Sequence, residues 1–118
     1  MRLSWVLQNV EELKKCVLNN KAMFGTVDTW LLYKLSGGKL HLTDVSCASA
    51  TGFYDPFTMQ WGNWALRLFG ISDSILPQVC DSAADFGCIT EDIVGAPIPV
   101  CSLVCMERNI ILNKINYI

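Results

Sequence analysis

Phe24-Gly25-Thr26-Val27-Asp28-Thr29-Trp30-Leu31-Leu32-Tyr33-Lys34-Leu35-Ser36-Gly37-Gly38-Lys39-Leu40-His41-Leu42-Thr43-Asp44 is the stretch whose reading decides the fold. Thr26 suits a helix N-cap, and Asp28 falls in the first turn, where a carboxylate meets the positive end of the helix dipole. Val27, Trp30, Leu31 and Leu35 recur at helical spacing and predict one apolar stripe. Gly37-Gly38 then offers the left-handed position that ends a helix. Trp30 and Tyr33 could stack on a sugar ring; the expectation is that they pack this helix on a sheet. Lys39-Leu40-His41-Leu42 alternates polar and apolar and predicts a short strand, which makes His41 a surface edge residue rather than a base. Asp44 is the one carboxylate of the stretch suited to chemistry. It stands ahead of the small-residue run Ser46-Cys47-Ala48-Ser49-Ala50-Thr51-Gly52, and in that place it reads as a local cap.

Toward the N-terminus, Leu3, Val6, Leu7, Val10, Cys16 and Val17 follow a period near 3.6 and predict helix, with a break near Asn9 or at Asn19-Asn20. Glu11 and Glu12 precede Lys14 and Lys15 by one helical turn, as on a solvated face. Toward the C-terminus, Phe53 to Trp61 is an aromatic-rich turn begun by Asp55-Pro56. Asn63 to Phe69 predicts a short helix ended by Gly70, Ser72 caps a turn closed by Pro77, and Gln78-Val79 begins an extended piece. Pro97 to Val104 predicts a buried strand of a mixed sheet, entered through proline.

The bulk composition narrows the classes. The 118 residues allow one domain at most, 52% are hydrophobic and 17% charged, as in a globular chain. A net charge of −2 gives no footprint for nucleic acid or an anionic membrane. No apolar run approaches the ~20 residues of a membrane helix. The first residues do not read as a signal peptide, so the cytoplasm is the expected compartment.

Six cysteines, Cys16, Cys47, Cys80, Cys88, Cys101 and Cys105, contain no CxxC pair, and His41 is the only histidine. Free, mostly buried thiols are expected, and no metal site. No dinucleotide fingerprint, phosphate loop or nucleophile-base set appears. Residue patterns alone therefore stop at part of an α/β domain.

Several blocks together resemble the FGGY carbohydrate kinases, and within them the glycerol kinases. Phe24 to Leu35 is similar to the block F-G-T-[IV]-D-T-W-L-[IL]-x-K-L, and Lys39 to Asp44 to K-[VL]-H-x-T-D. Arg2-Leu3-Ser4-Trp5-Val6-Leu7-Gln8-Asn9 resembles the second half of a family signature, with Arg2 where lysine is usual. Trp61 to Pro77 and Gly95-Ala96-Pro97-Ile98-Pro99-Val100 resemble two further blocks, the second being the strand that leads to the catalytic loop. Cys47 and Ala50 stand where the family has Asn and Arg. Ala50 to Pro56 resembles a divergent animal branch more than the other glycerol kinases.

The resemblance implies a partial ribonuclease H-like (actin-like ATPase) α/β domain, the second half of the FGGY N-terminal domain, over residues 1–104. Residues 105–118 are expected to form an unrelated C-terminal tail. The implied parent reaction is ATP-dependent phosphorylation of glycerol, or of a related polyol or sugar, with ATP and Mg²⁺ as cofactors of the parent. In the family a D-Q-Q motif, whose Asp is the general base, follows the strand at Pro99 to Val104. Here Cys105-Met106-Glu107-Arg108 follows, and Glu107 is not taken as a substitute. The expectation is therefore no catalytic, substrate, cofactor or metal residue in this chain, and no activity from it alone. The alternative is a non-catalytic interaction protein docking on a full-length kinase. A full-length kinase or a chaperone is the expected macromolecular partner, and the tail from Met106 to Ile118 is expected to be poorly integrated.

Overall fold

The computed structural model describes residues 2–105; the expectations for Met106 to Ile118, Glu107 included, lie outside the described residues. Helices α1 (Arg2–Asn9) and α2 (Glu11–Leu18) open the chain and pack on each other. The break between them falls at Val10, whose backbone is extended. Helix α3 (Val27–Leu35) follows, and then strand β1 (Leu42–Asp44) leads directly into helix α4 (Val45–Ala50). Strands β2 (Tyr54–Asp55) and β3 (Gln60–Trp61) form a hairpin, and helix α5 (Asn63–Phe69) leads through a single 3-10 turn at Asp73–Ile75 to strand β4 (Gln78–Cys80). Strand β5 (Cys88–Ile89), helix α6 (Glu91–Val94) and strand β6 (Ile98–Pro99) complete the described elements.

Strand β1 pairs in parallel with β4, with Leu42 opposite Gln78, Thr43 opposite Val79 and Asp44 opposite Cys80. Parallel pairing requires a crossover, and here α4, the β2–β3 hairpin and α5 supply it. The β2–β3 and β5–β6 pairs are antiparallel.

The core lies on the crossover side. Phe53, Leu66, Ile71, Ile75 and Leu76 are buried together, and Leu3, Leu7, Val17, Phe24, Trp61 and Phe69 pack on them. Phe53 meets Phe24 and Phe69 edge-on, at ring separations of 6.2 and 6.0 Å, the arrangement aromatic quadrupoles favour. Polar anchors tie the layer down. Ser4 Oγ donates to the Phe69 carbonyl at 2.9 Å, Trp61 Nε1 to the Pro77 carbonyl at 2.8 Å, and the Phe24 N–H to the Ile75 carbonyl at 2.7 Å. Gly70 ends α5 with φ 64°, a conformation that costs a side-chain-bearing residue strain.

Several expectations meet the structure directly. The helix at Asn63–Phe69, its Gly70 stop, the Ser72-capped turn and the extended piece at Gln78 are all present. Others are corrected. The strand expected at Lys39–Leu42 runs instead from Leu42 to Asp44, because those residues find β4 as a partner. The buried strand expected at Pro97–Val104 is reduced to Ile98–Pro99, exposed on both residues and paired with β5; beyond it, backbone bonds join Val100 to Phe86 and Gly87 and Leu103 to Ser82 outside any strand. The α3 stripe is not buried: Val27, Trp30 and Leu31 face outward, while Thr29 and Leu32 point into the protein. Trp30 therefore does not pack α3 on a sheet. Thr26 occupies the N-cap position, but its hydroxyl donates to the Asp28 carboxylate instead of capping the backbone. Only Cys47 among the six cysteines is buried, so the thiols are not mostly buried.

Candidate functional site

The densest buried polar cluster is organised by Asp44. This residue ends β1 and N-caps α4, and its side chain is 0% exposed. Its carboxylate accepts from the Ser46 N–H and the Cys47 N–H, each at 2.9 Å. The hydroxyls of Ser46 and Ser82 donate to the same group. Burial alone pushes the Asp44 carboxyl up; the hydrogen bonds from Ser46, Ser82 and Cys47 outweigh it and hold the carboxyl below its usual value. Asp44 is thus an ionised, fully engaged carboxylate with little basicity left for taking a proton.

The cluster extends on both sides. Thr43, also buried, donates to Asp28 at 2.8 Å and links β1 to the first turn of α3. Ser46 Oγ accepts from the Cys105 N–H at 2.8 Å. One buried carboxylate therefore holds α4, the segment after β4 and, through Ser46, the end of the described chain. Asp28, Asp44 and Cys47 bring their ligand atoms within 4.8 Å of one another. They do not suit a cation. A hard ion such as Mg²⁺ needs free oxygen lone pairs, and both carboxylates already accept hydroxyl donors. The Cys47 thiol is pushed far up by burial and by the carboxylates of Asp44 and Asp28, so it stays protonated.

Beside the cluster runs an apolar groove of about 520 Å³, bounded by Val27 and Leu31 of α3, Cys47 and Ala50 of α4, and Val104 and Cys105. On another side of α3 lies a smaller cleft of about 300 Å³, where Trp30, Tyr33 and His41 meet. His41 is half-buried there, with Nε2 at 2.7 Å from the Phe24 carbonyl, so that nitrogen donates. It braces the loop before α3, which is a different task from that of an exposed edge residue.

The cap role expected of Asp44 is present. The reach of Ser82 to Asp44 and the neighbouring Thr43–Asp28 tie could not be picked from the sequence. Ser82 lies 38 residues away, and only the parallel β1–β4 pairing brings it to Asp44. A Thr-Asp pair at a strand end before small residues was the one local signal.

Residues 1–104 match the N-terminal domain of the FGGY family of carbohydrate kinases. Glycerol kinase 5 of Mus musculus is 49% identical over 97% of this chain, and the match spans 21% of that protein. A glycerol kinase of Geobacter is 44% identical over 86% of the chain and is matched over 21% of its own length. The chain thus spans about a fifth of the length of these relatives. The crystal structure of Plasmodium falciparum glycerol kinase with ADP superposes on 87% of this chain and 21% of its own, with a TM-score of 0.81 and 30% identity.

Proposed function

The chain belongs to the FGGY family of carbohydrate kinases, and we propose that it is part of a glycerol kinase-like member whose reaction is ATP-dependent phosphorylation of glycerol or of a related polyol or sugar. The observation that carries this reading is the match in both sequence and fold to glycerol kinases. Residues 1–104 are the domain portion and residues 105–118 a separate tail. The cytoplasm is the proposed compartment; among the described residues no helix is long and apolar enough to cross a membrane.

In such a reaction ATP supplies the phosphoryl group and Mg²⁺ offsets its charge, while the protein contributes positioning. The described residues hold neither group: the Asp28–Asp44–Cys47 cluster lacks free donors, and no glycine-rich phosphate cradle is present among them. Their contribution is a rigid floor. Asp44 is a positioning residue. Through Ser46 it fixes Cys105, the point from which the chain leaves toward Met106 and Glu107. On this reading the 118 residues by themselves do not catalyse the reaction. Incubation of the purified chain with glycerol and ATP should give no glycerol 3-phosphate above a buffer blank. Product formation that disappears in Glu107→Ala would make Glu107 the general base and overturn this assignment.

A second reading, a non-catalytic chain that docks on a longer kinase or is held by a chaperone, is favoured by α3. Val27 is 74% exposed and Trp30 58%, an apolar surface that soluble chains normally cover. Co-sedimentation with a full-length glycerol kinase, lost in Val27→Ser/Leu31→Ser, separates this reading from the first.

A further inference from the structure

We infer that the cleft beside α3 is a binding site for a ring-bearing phosphate monoester, lined by other residues than the Asp44 cluster. Three independent observations meet there. The first is Thr29, which lines the cleft and is only 2% exposed, yet its Oγ1 has no hydrogen-bond partner among the described residues. A buried hydroxyl without a partner is costly, and a ligand oxygen in the cleft would satisfy it.

The second observation is charge. Lys21 and Lys34 both line the cleft, and no carboxylate does. Among the described residues neither lysine makes an ion pair, since the ion pair present there joins Lys14 to Glu11. Two ammonium groups at one small opening favour a dianion, and phosphate monoesters carry about that charge at neutral pH. The third is shape. Trp30 is largely exposed in a helix that otherwise buries Thr29 and Leu32, and Tyr33 stands with it in the same wall. An exposed indole is a flat platform for an aromatic or sugar ring. The cleft, at about 300 Å³, is at the small end of ligand sites, which suits one ring and one phosphate rather than a nucleotide. His41 has its Nε2 committed to the Phe24 carbonyl and serves as wall.

The division of labour follows. Lys21 and Lys34 hold the phosphate, the Trp30 face takes the ring, and Thr29 Oγ1 donates to, or accepts from, a ligand oxygen between them. The test is titration of the full 118-residue chain with phenyl phosphate and with glucose 6-phosphate, followed by tryptophan fluorescence and by the shift in thermal unfolding midpoint. Inorganic phosphate serves as the ringless control. Saturable binding of at least one ring-bearing ester, at least tenfold tighter than inorganic phosphate, is expected. Lys21→Gln/Lys34→Gln should weaken it tenfold or more, Trp30→Ala severalfold, and Lys15→Gln on α2, which does not line the cleft, not at all. The relative affinity of the two esters tells an aromatic ligand from a sugar. Absence of saturable binding, equal affinity for inorganic phosphate, or binding unchanged in the double lysine variant would each overturn the assignment.

Discussion

Helices α3 and α5 carry similar apolar content, and each leaves large residues exposed, Trp64 and Leu68 in α5 among them, yet the two are anchored differently. In α5, Ala65 and Leu66 are buried and feed a core that also takes Phe53, Ile71, Ile75 and Leu76. In α3, Val27, Trp30 and Leu31 face out, and the helix is held instead through polar ties: Asp28 to Thr43, and the Leu35 carbonyl to the Thr90 N–H at 2.9 Å. An apolar stripe is only an offer of surface. It becomes core where another element arrives to cover it, as α1 and the hairpin do for α5. Where none arrives among the described residues, position is set by buried hydrogen bonds, whose geometry is stricter and whose loss is felt at a single atom.

The contrast can be broken first at the apolar pole. Phe53 is buried between Phe24 and Phe69, so Phe53→Ala should cost about 3–5 kcal/mol of unfolding free energy. Urea denaturation measures it. A loss below ~1 kcal/mol would mean that the aromatic layer does not organise the core, and α5 would then resemble α3.

The polar pole should respond next. Asp44→Asn keeps the size of the side chain but removes its charge and aims an amide at several donors, which should cost about 2–3 kcal/mol by the same measurement. The native carboxyl is held below its usual value, so its stabilisation is complete at neutral pH. As pH falls below the unfolded value of about 4 and on through the lowered native one, that stabilisation is lost. The wild-type chain should therefore weaken in this acid range, and Asp44→Asn should weaken less steeply. Parallel acid profiles for the two would remove Asp44 from the centre of the cluster.

The smallest stability effect is expected on the outer face of α3. Val27→Ser/Leu31→Ser should change unfolding free energy by about 0.5 kcal/mol or less, as exposed sites do. The same change should raise the concentration at which the chain stays monodisperse in light scattering, because an exposed apolar patch drives association. A large loss of stability would show that these residues are packed in solution, contrary to their exposure.

The sequence made the local devices legible. The Gly70 stop, the Ser72 turn, the Asp44 cap and the α1–α2 break near Asn9 each depend on a few neighbouring residues with distinct backbone preferences. The family could be read from the Phe24–Asp44 block for the same reason, since that block is contiguous. The burial of the α3 stripe and the strand at Pro97–Val104 were misread because each is a statement about a partner. Hydrophobic period reports which face a helix would bury; it carries no information on whether anything meets that face.

What the amino-acid order determined by itself is therefore where elements start and stop, and which kinase family they belong to. Only the tertiary structure decided that β1 lies parallel to β4, that Ser82 reaches Asp44 across 38 residues, and that Thr29 is buried in the cleft wall with a hydroxyl that finds no partner among the described residues. The physical reason is range. Caps and stops are settled by torsional preference and hydrogen bonds within a turn or two, whereas pairing and burial are settled by which distant surfaces compete best for one another once the chain has collapsed.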